Sequence, residues 1–317
     1  MRNLIIAVCF ILFLPIFSFA QLRWKKVDSL FGPLPASFHV FRAEETLDDS
    51  PFIAYYASAI LKDKALEFTT HVSNGNPYTP AIYYEAEKHP LLVVNGGFFS
   101  FENGQSLSVV IREGKLVSYN VNVLKGTAAD SMLFYYPTRS ALGITKKRQA
   151  DVSWIFTNPA HNRAYAFEKE PVIAKGRVNS PTIFDLKNIN WRWWEVHTAV
   201  GGGPNLLHDG KIWITNKEEQ MFVGQENERH PRTAMGYTRD GRLIILVIQG
   251  RFPGKAAGAS LVQEARILRD LDCYEALNLE GGGSSCMLIN GKETIRPSEN
   301  SGERAIPAVF LIKQKNK

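Results

Sequence analysis

Short apolar runs that end at glycines or turns dominate the hydrophobic pattern of this chain. Such runs predict strands in FHVFRAE and ALEFTTHV near the N-terminus, and at 132–136, 141–145, 152–156, 164–167, 197–201, 211–214, 233–238 and 242–248. The apolar run LLVVN ends in a glycine pair, and SLSVVIREGKLVS predicts a hairpin that turns at REGK. The number of these runs predicts a fold built mainly from β-sheet.

Helical patterning is confined to two segments. AIYYEAEKHP predicts a short helix that Pro90 ends. In GASLVQEARILRDL, apolar residues recur every three or four positions, and Ser260 with Gln263 forms a capping-box start. Because this second helix would lie between the strand 242–248 and a strand at 274–279, it could supply a parallel pair. We therefore expect an α+β fold with a mixed, mostly antiparallel β-sheet core and a few helices packed on it.

Residues 1–20 have the pattern of a secretory signal peptide. An early arginine precedes an apolar stretch, and small residues at positions 18 and 20 predict a cleavage before Gln21. The alternative is an uncleaved membrane anchor, but the apolar stretch is short for a span of about 20 residues. We expect an exported protein, periplasmic or extracellular, with no stable membrane span after cleavage.

The composition is that of a globular protein. The chain has 317 residues, of which 45% are hydrophobic and 21% are charged, and no fixed-period repeat is visible. The net charge of +6 comes without a block of lysine and arginine, so we expect no nucleic-acid binding. Beyond the signal peptide there are two cysteines, Cys273 and Cys286, which either pair or remain as two buried thiols.

Four strand ends rich in glycine or arginine carry the candidate chemistry. They are NGGFF (95–99), VGGGPNLLHDGK (200–211), RHPRTAMG (229–236) and LEGGGSS (279–285). Glycine lets a ligand approach the backbone, and free N–H groups at such a corner bind anions. A single strand-end glycine is more often a plain turn. Four such ends, interleaved with arginines, predict one shared site.

Several familiar site motifs are missing from the sequence. It contains neither a GxxxxGK[ST] phosphate loop nor a GxSxG nucleophile elbow. It also lacks HExxH and CxxC, and its seven histidines are scattered. We therefore expect no cofactor and no metal, and a site that works through carboxylate and arginine side chains.

The ordered motifs resemble those of the phosphodiester glycosidase family. VVNGGFF, SLSVVIREGKLVS, AVGGGPNLLHDGK, RHPRTAMGYTRDGRLIILVIQGR, GASLVQEARIL, ALNLEGGGSSCMLINGK and GERAIPAVFLI follow one another as they do in that family. The resemblance implies a family-like catalytic domain at 88–317, preceded by an N-terminal segment or small subdomain at 21–87. One position departs from the pattern, because the family motif has Asp where this chain has Glu280.

The resemblance implies hydrolysis of a sugar-1-phosphodiester between the anomeric carbon and the phosphate oxygen. The products would be a sugar and a phosphomonoester, so the expected partner is a phosphorylated carbohydrate. One alternative is a protein that binds phosphorylated carbohydrate without turnover. Another is a phosphodiesterase that cleaves the phosphorus–oxygen bond, although such enzymes usually need a metal pair.

Three residues are the candidate catalytic groups. Glu280 would activate water or stabilise the oxocarbenium-like transition state, Arg232 would bind the phosphate, and Asn95 would hydrogen-bond the substrate or Glu280. The candidate binding residues are Gly96, Gly202, Gly203, Asn205, His230, Thr233, Gly281, Gly282, Gly283, Ser284 and Arg304. For each there is a structural alternative, such as an ion pair for an arginine or a turn cap for the glutamate. Asp209, in HDGK, is predicted to belong to a hairpin turn rather than to the site.

Overall fold

The computed structural model describes residues 21–73, 75–169, 173–186, 190–222, 224–299 and 301–315. The predicted signal peptide therefore lies outside the described residues. The helices are α1 (Pro80–Ala86) and α2 (Leu261–Asp270). The strands are β1 (Lys25–Lys26), β2 (Phe38–Leu47), β3 (Ser50–Ile60), β4 (Leu66–Val72), β5 (Leu92–Asn95), β6 (Val110–Arg112), β7 (Lys115–Ser118), β8 (Leu124–Lys125), β9 (Phe134–Tyr136), β10 (Arg139–Ile144), β11 (Ala150–Asn158), β12 (Arg163–Phe167), β13 (Ala174–Gly176), β14 (Trp191–Trp193), β15 (Thr198–Gly201), β16 (Asn205–His208), β17 (Lys211–Ile212), β18 (Arg232–Thr238), β19 (Arg242–Ile248), β20 (Cys273–Asn278), β21 (Met287–Ile289), β22 (Lys292–Glu293) and β23 (Ala308–Gln314).

The strands form three large sheets and one small one. An eight-stranded sheet has the order β1-β2-β3-β19-β18-β20-β16-β17, and a seven-stranded sheet has the order β14-β12-β11-β10-β15-β6-β7. A five-stranded sheet follows the order β22-β21-β5-β23-β4, and β13-β9-β8 form the small sheet. The described residues contain two α-helices, and the fold is mostly β-sheet. The expected α+β class therefore understates the share of β-sheet.

Every strand pairing among the described residues is antiparallel, so the expected parallel pair was wrong. Helix α2 does connect β19 to β20, and those two strands do run in the same direction. However, β18 lies between them and pairs with both. The helix itself is confirmed, including its capping box between Ser260 and Gln263.

Strands from the N-terminal segment 21–87 join two of the large sheets. β2 pairs with β3, and β3 pairs with β19 along its length. β4 pairs with β23. Residues 66–72 and 308–314, which are far apart in the sequence, are therefore hydrogen-bonded to each other within the five-stranded sheet.

One structural unit, a strand followed by a glycine corner and a hairpin, occurs three times. Module 1 consists of β5, Gly96–Gly97 and the β6–β7 hairpin. Module 2 consists of β15, Gly202–Gly203 and the β16–β17 hairpin. Module 3 consists of β20, Gly281–Gly283 and the β21–β22 hairpin. The modules are unequally spaced along the chain, so they produce no fixed-period repeat in the sequence.

The hairpin of each module pairs with the strand of the next, and the third closes on the first. β6 pairs with β15, β16 with β20, and β21 with β5. The chain thus passes from one large sheet to another at every glycine corner. The corners lie in contact: a Cβ added to Gly97 would clash with the Gly201 carbonyl oxygen, and one added to Gly202 would clash with that of Asn278.

The three hairpins share one kind of turn. Glu113–Gly114, Asp209–Gly210 and Asn290–Gly291 all have two consecutive residues in the left-handed region, with φ of 74° to 76° at the glycine. This is the signature of the type I′ turn, whose twist matches that of the flanking strands. Asp209 lies in one of these turns, as expected from the sequence.

The largest apolar cluster lies between the three large sheets. Leu142, Met235 and Phe310, each fully buried, come from the seven-, eight- and five-stranded sheets respectively. A second cluster packs Leu261 and Leu268 of α2 against the eight-stranded sheet. Both cysteines are buried free thiols within such clusters, so the chain is stabilised by apolar packing rather than by a disulfide.

We expect Gly291→Ala to destabilise the protein more than Gly210→Ala. Both glycines occupy the same left-handed turn position, so alanine at either costs about 1 kcal/mol in backbone strain. A Cβ at Gly210 would lie 3.8 Å from its nearest neighbour, in Tyr274, whereas at Gly291 it would lie 2.8 Å from the Tyr84 ring. Urea unfolding of the two variants measures the difference. Equal losses of unfolding free energy would contradict the role given to packing.

Candidate functional site

A cavity of about 550 Å³ opens beside the glycine corners. Its wall includes Gly281–Gly283 of module 3 together with Phe98 and Phe99, which follow the corner of module 1. Clefts of about 740 and 650 Å³ occur elsewhere among the described residues, but neither includes a glycine corner or Glu280. Three of the four predicted strand ends, at 95–99, 229–236 and 279–285, therefore contribute to the cavity of about 550 Å³, whereas the strand end at 200–211 does not line it.

Glu280 is the only carboxyl group among the described residues that line this cavity. Burial raises the pKa of Glu280 to about 8, and the positive charge of Arg304 acts in the opposite direction. At neutral pH the carboxyl group therefore holds its proton. The backbone of Glu280 is fixed by module 1: its N–H donates to the Gly96 carbonyl at 3.2 Å, and its carbonyl accepts from Asn95 Nδ2 at 2.7 Å.

Arg232 lines the cavity, but two of its guanidinium nitrogens already donate to backbone carbonyls. The side chain begins β18 and is 3% exposed. Its Nε donates to the Ala259 carbonyl and its Nη2 to the Glu228 carbonyl, each at 3.0 Å. Burial lowers the pKa of Arg232, while the negative charge of Glu264 opposes that effect. Nη1 is the nitrogen of this guanidinium that no described residue engages.

Arg304 is held beside the glycines by protein groups. Its Nη1 donates to Ser284 Oγ at 3.3 Å, and its Nη2 forms a short ion pair with Glu299. The guanidinium also lies over the Phe101 ring, 5.1 Å from the ring centroid. Its charge is therefore partly balanced within the protein.

Two further arginines line the cavity, and the sequence motifs did not assign either of them to the site. Arg251 is exposed, has a left-handed φ of 65°, and has no hydrogen bond or ion pair with a described residue. Arg139 begins β10 and is 8% exposed. A signal for Arg139 was present, because TRSALG at 138–143 resembles PRTAMG at 231–236.

The three glycines of module 3 make room for protein side chains as well as for a ligand. A Cβ added at the first of Gly281–Gly283 would lie 2.8 Å from the Pro231 carbonyl oxygen. At the second it would lie 3.2 Å from Arg251 Nη2, and at the third 2.5 Å from Arg304 Nη2. Side chains at these positions would displace two guanidinium groups from the cavity wall.

Asn95 and Thr233 lie behind the cavity wall and support it. Both are fully buried, and the Thr233 hydroxyl donates to Asn95 Oδ1 at 2.8 Å. The same oxygen accepts from the Cys286 N–H at 3.1 Å, and Asn95 Nδ2 donates to the carbonyls of Gly96 and Glu280. The Asn95 amide thus links module 1 to module 3 and places Glu280 without reaching the cavity.

The other candidate binding residues divide into two groups. His230, Arg304 and Gly281–Gly283 line the cavity, whereas Gly96, Gly202, Gly203, Asn205 and Ser284 are absent from its wall. Asn205 is buried and tied to the protein, since its N–H donates to Glu219 Oε1 at 2.7 Å and its Nδ2 to the Trp213 carbonyl at 2.8 Å. A Cβ at Gly203 would meet Glu219 Oε2 at 2.6 Å, so this glycine also makes room for that carboxylate.

Aromatic rings give the cavity an apolar side. Phe98 and Phe222 pack with ring centroids 5.6 Å apart, and the Arg232 guanidinium lies 6.0 Å from the centroid of Phe222. Phe99 and Phe101 complete this surface. Aromatic rings beside guanidinium groups suit a sugar ring that carries an anionic substituent.

The described residues bring one group of possible metal ligands together, away from the cavity wall. His208, Asp209 and Glu275 have ligand atoms within 4.8 Å of one another. The two carboxylates face different ring nitrogens of His208: Nδ1 lies 3.4 Å from Glu275 Oε1, and Nε2 lies 4.0 Å from Asp209 Oδ2. None of these three residues lines the cavity that contains Glu280.

A family model described as phosphodiester glycosidase matches residues 88–313. That span is well over half of the chain. The chain belongs to the phosphodiester glycosidase family. Members of this family are hydrolases that act on glycosyl bonds.

Curated relatives of this phosphodiester glycosidase match over part of their length. Mouse N-acetylglucosamine-1-phosphodiester alpha-N-acetylglucosaminidase is 25% identical over 215 residues, which are 65% of this chain and 33% of the mouse protein. The human enzyme of the same name is 22% identical over 215 residues, with the same coverage. The chain thus spans about a third of the length of these relatives.

Solved structures share the fold. The catalytic domain of the zebrafish enzyme of that name, auto-inhibited by its pro-peptide, superposes with a TM-score of 0.60 at 21% identity and covers 93% of this chain and 89% of that one. A hypothetical protein from Synechocystis gives a TM-score of 0.61 at 16% identity, covering 92% and 63% of the two chains. Within the described part of this glycosidase, no helix is both long and apolar enough to cross a membrane.

We expect Glu280→Gln to stabilise the protein at pH 8 and to change its stability little at pH 5. The carboxyl keeps its proton up to about pH 8 in the folded state but releases it near pH 4.5 when unfolded. The folded state therefore binds more protons in this window and loses stability as the pH rises. Removing the group should increase the unfolding free energy by on the order of 4 kcal/mol at pH 8. Urea unfolding at the two pH values measures the effect, and a gain independent of pH would contradict it.

Proposed function

We propose that the protein is an exported glycosidase that hydrolyses a sugar-1-phosphodiester at the bond between the anomeric carbon and the phosphate oxygen. The single observation that carries the proposal is the placement of Glu280. It is a carboxyl group with a raised pKa, in a cavity whose other titratable side chains are arginines and a histidine. The names of the mouse and human relatives point to an N-acetylglucosamine-1-phosphodiester as the model substrate.

The protonation state of Glu280 suits it to act as a general acid. A protonated carboxyl does not repel a phosphodiester anion, whereas a carboxylate at that position would. As the bond from the anomeric carbon to the phosphate oxygen breaks, Glu280 donates its proton to that oxygen and a phosphomonoester leaves. Water then attacks the oxocarbenium-like carbon, and its proton returns to the carboxylate or to solvent.

The arginines that line the cavity are placed to bind the leaving phosphate. Arg251 lies against Gly282 with no protein partner among the described residues, so its donors are open to phosphate oxygens. Arg304, beside Gly283, adds a second positive charge on the same side. Donors already in position stabilise charge that develops on a leaving phosphate without reorganising during the reaction. Arg232 lines the same cavity, and its Nη1 is the nitrogen that can donate to a phosphate oxygen.

Glu280→Gln should abolish most hydrolysis of a GlcNAc-1-phosphodiester, with a loss of about a hundredfold or more in kcat, because the amide cannot donate an acidic proton. The reaction is run in oxygen-18 water. We expect the label in the free sugar, which reports cleavage between carbon and oxygen. Label in the phosphate would support a phosphodiesterase instead, and binding without products would support the non-catalytic binder.

Two variants serve as controls for this experiment. Glu85→Gln removes a carboxyl whose side chain is 70% exposed, and it should leave turnover unchanged. Glu280→Asp restores the residue of the family motif and should keep the carboxyl chemistry. If Glu280→Gln turned over at the wild-type rate, Glu280 would be removed from the mechanism.

Export of the full chain is the second part of the proposal and rests on residues 1–20. Expression of the whole chain with its own N-terminus should yield a mature protein that begins at Gln21. Intact-mass and N-terminal peptide analysis of the periplasmic and culture fractions would show this. A protein that keeps Met1 and stays in the membrane fraction would support the uncleaved anchor.

A further inference from the structure

Arg139 and Arg232 occupy equivalent positions in two repeated pieces of the sheet structure. Each is the first residue of a strand that pairs with the following strand in the same register: Arg139 lies opposite Ile155, and Arg232 lies opposite Ile248. Each strand also pairs with the strand of a module, β10 with β15 and β18 with β20. The two guanidinium groups therefore reach one cavity from two different sheets.

The next residue in each strand confirms this equivalence. The carbonyl of Ser140 accepts from the N–H of Gly202 at 3.0 Å, and the carbonyl of Thr233 accepts from that of Leu279 at 2.7 Å. Each acceptor is thus bonded to the first residue after a module strand, β15 of module 2 or β20 of module 3. Arg139 therefore has the same position relative to module 2 as Arg232 has relative to module 3.

The two arginines differ in how their donors are used. Arg232 is bonded to two backbone carbonyls. Arg139 is 8% exposed, its Nε has no hydrogen-bond partner, and its guanidinium makes no hydrogen bond or ion pair with any described residue. A buried guanidinium with unused donors is costly in free energy unless a ligand engages it.

Glu219 acts on Arg139 through space without bonding to it, and burial raises the pKa of this carboxyl group. Its oxygens already accept from the Ser140 N–H and hydroxyl, from Trp154 Nε1, from the Asn205 N–H and from the Thr215 hydroxyl. The donors of Arg139 therefore remain available on the cavity side.

We propose that Arg139 forms a second anion-binding subsite in the cavity and that it binds a carboxylate carried by the sugar. In the proposed function the phosphate binds at Arg251 and Arg304, beside the glycines of module 3, whereas Arg139 enters the cavity from the seven-stranded sheet, next to module 2. The planar guanidinium matches a carboxylate in a two-point contact. Combined with the proposed function, on which this last step rests, the substrate is the 1-phosphodiester of an acidic sugar such as a hexuronate.

The test compares methyl α-D-glucuronide with methyl α-D-glucoside, which differ at the sixth carbon. Binding to the mature protein is measured by calorimetry at low salt and neutral pH. We expect the glucuronide to bind at least about tenfold more tightly, as is typical of a charge-assisted pair in a buried site. Equal affinities for the two glycosides would overturn the proposal without any variant being needed.

Two variants locate the subsite. Arg139→Met should remove the preference for glucuronide while changing the affinity for inorganic phosphate less than about twofold. Arg251→Met should weaken inorganic phosphate at least about tenfold and keep the preference. If Arg139→Met weakened phosphate as much as glucuronide, Arg139 would belong to the phosphate position and the proposal would fail. Arg139→Lys, which keeps the charge but loses the two-point contact, replaces the methionine variant if that one does not fold, and it should reduce the preference.

These binding measurements involve no hydrolysis. If the protein binds glucuronide through Arg139 but cleaves no phosphodiester, the proposed glycosidase activity is wrong and the subsite is supported. If it cleaves a neutral sugar phosphodiester but has no preference for glucuronide, the subsite is wrong and the glycosidase activity is supported.

Discussion

The rest of the structure depends on how closely the three glycine corners approach one another. Backbone carbonyls of one corner occupy the space that a Cβ would need at the next, as between Gly97 and Gly201 and between Gly202 and Asn278. This contact allows three sheets to share one core and places residues from three distant parts of the chain around one cavity. The Asn95 amide then fixes the junction, because its hydrogen bonds connect module 1 to the backbone of Glu280. A buried amide that bonds to both modules thus holds the backbone of Glu280 beside Gly96.

Local patterning predicted much of the fold but little of how its parts meet. Apolar runs located most strands, REGK located a hairpin, and Ser260 located the start of α2, because each signal acts within a few residues. The order of the strands was not available from such signals. The expected parallel pair failed because β18 inserts between β19 and β20, and an insertion of that kind leaves no mark in periodicity.

The site was predictable to the extent that its residues stand next to glycines. Glu280 and Arg304 were found in this way, and both line the cavity. Asn95 and Thr233 stand at equally suggestive positions but are bonded to each other behind the wall, which only three-dimensional packing decides. Arg139 was missed because it lies at the start of a strand in an apolar stretch. An alignment of residues 138–143 with residues 231–236 of the same chain would have paired Arg139 with Arg232.

The closing of module 3 onto module 1 has a consequence for how the protein acquires its site. β5 lies between β21 and β23, so the strand that holds Asn95 is completed only when Ala308–Gln314 pairs with it. Pairings between such distant segments form late in folding, after a large loss of chain entropy. A growing polypeptide that still lacks Ala308–Gln314 cannot assemble the wall behind Glu280. The cavity therefore depends on β23, and a chain synthesised only as far as residue 307 has not yet formed it.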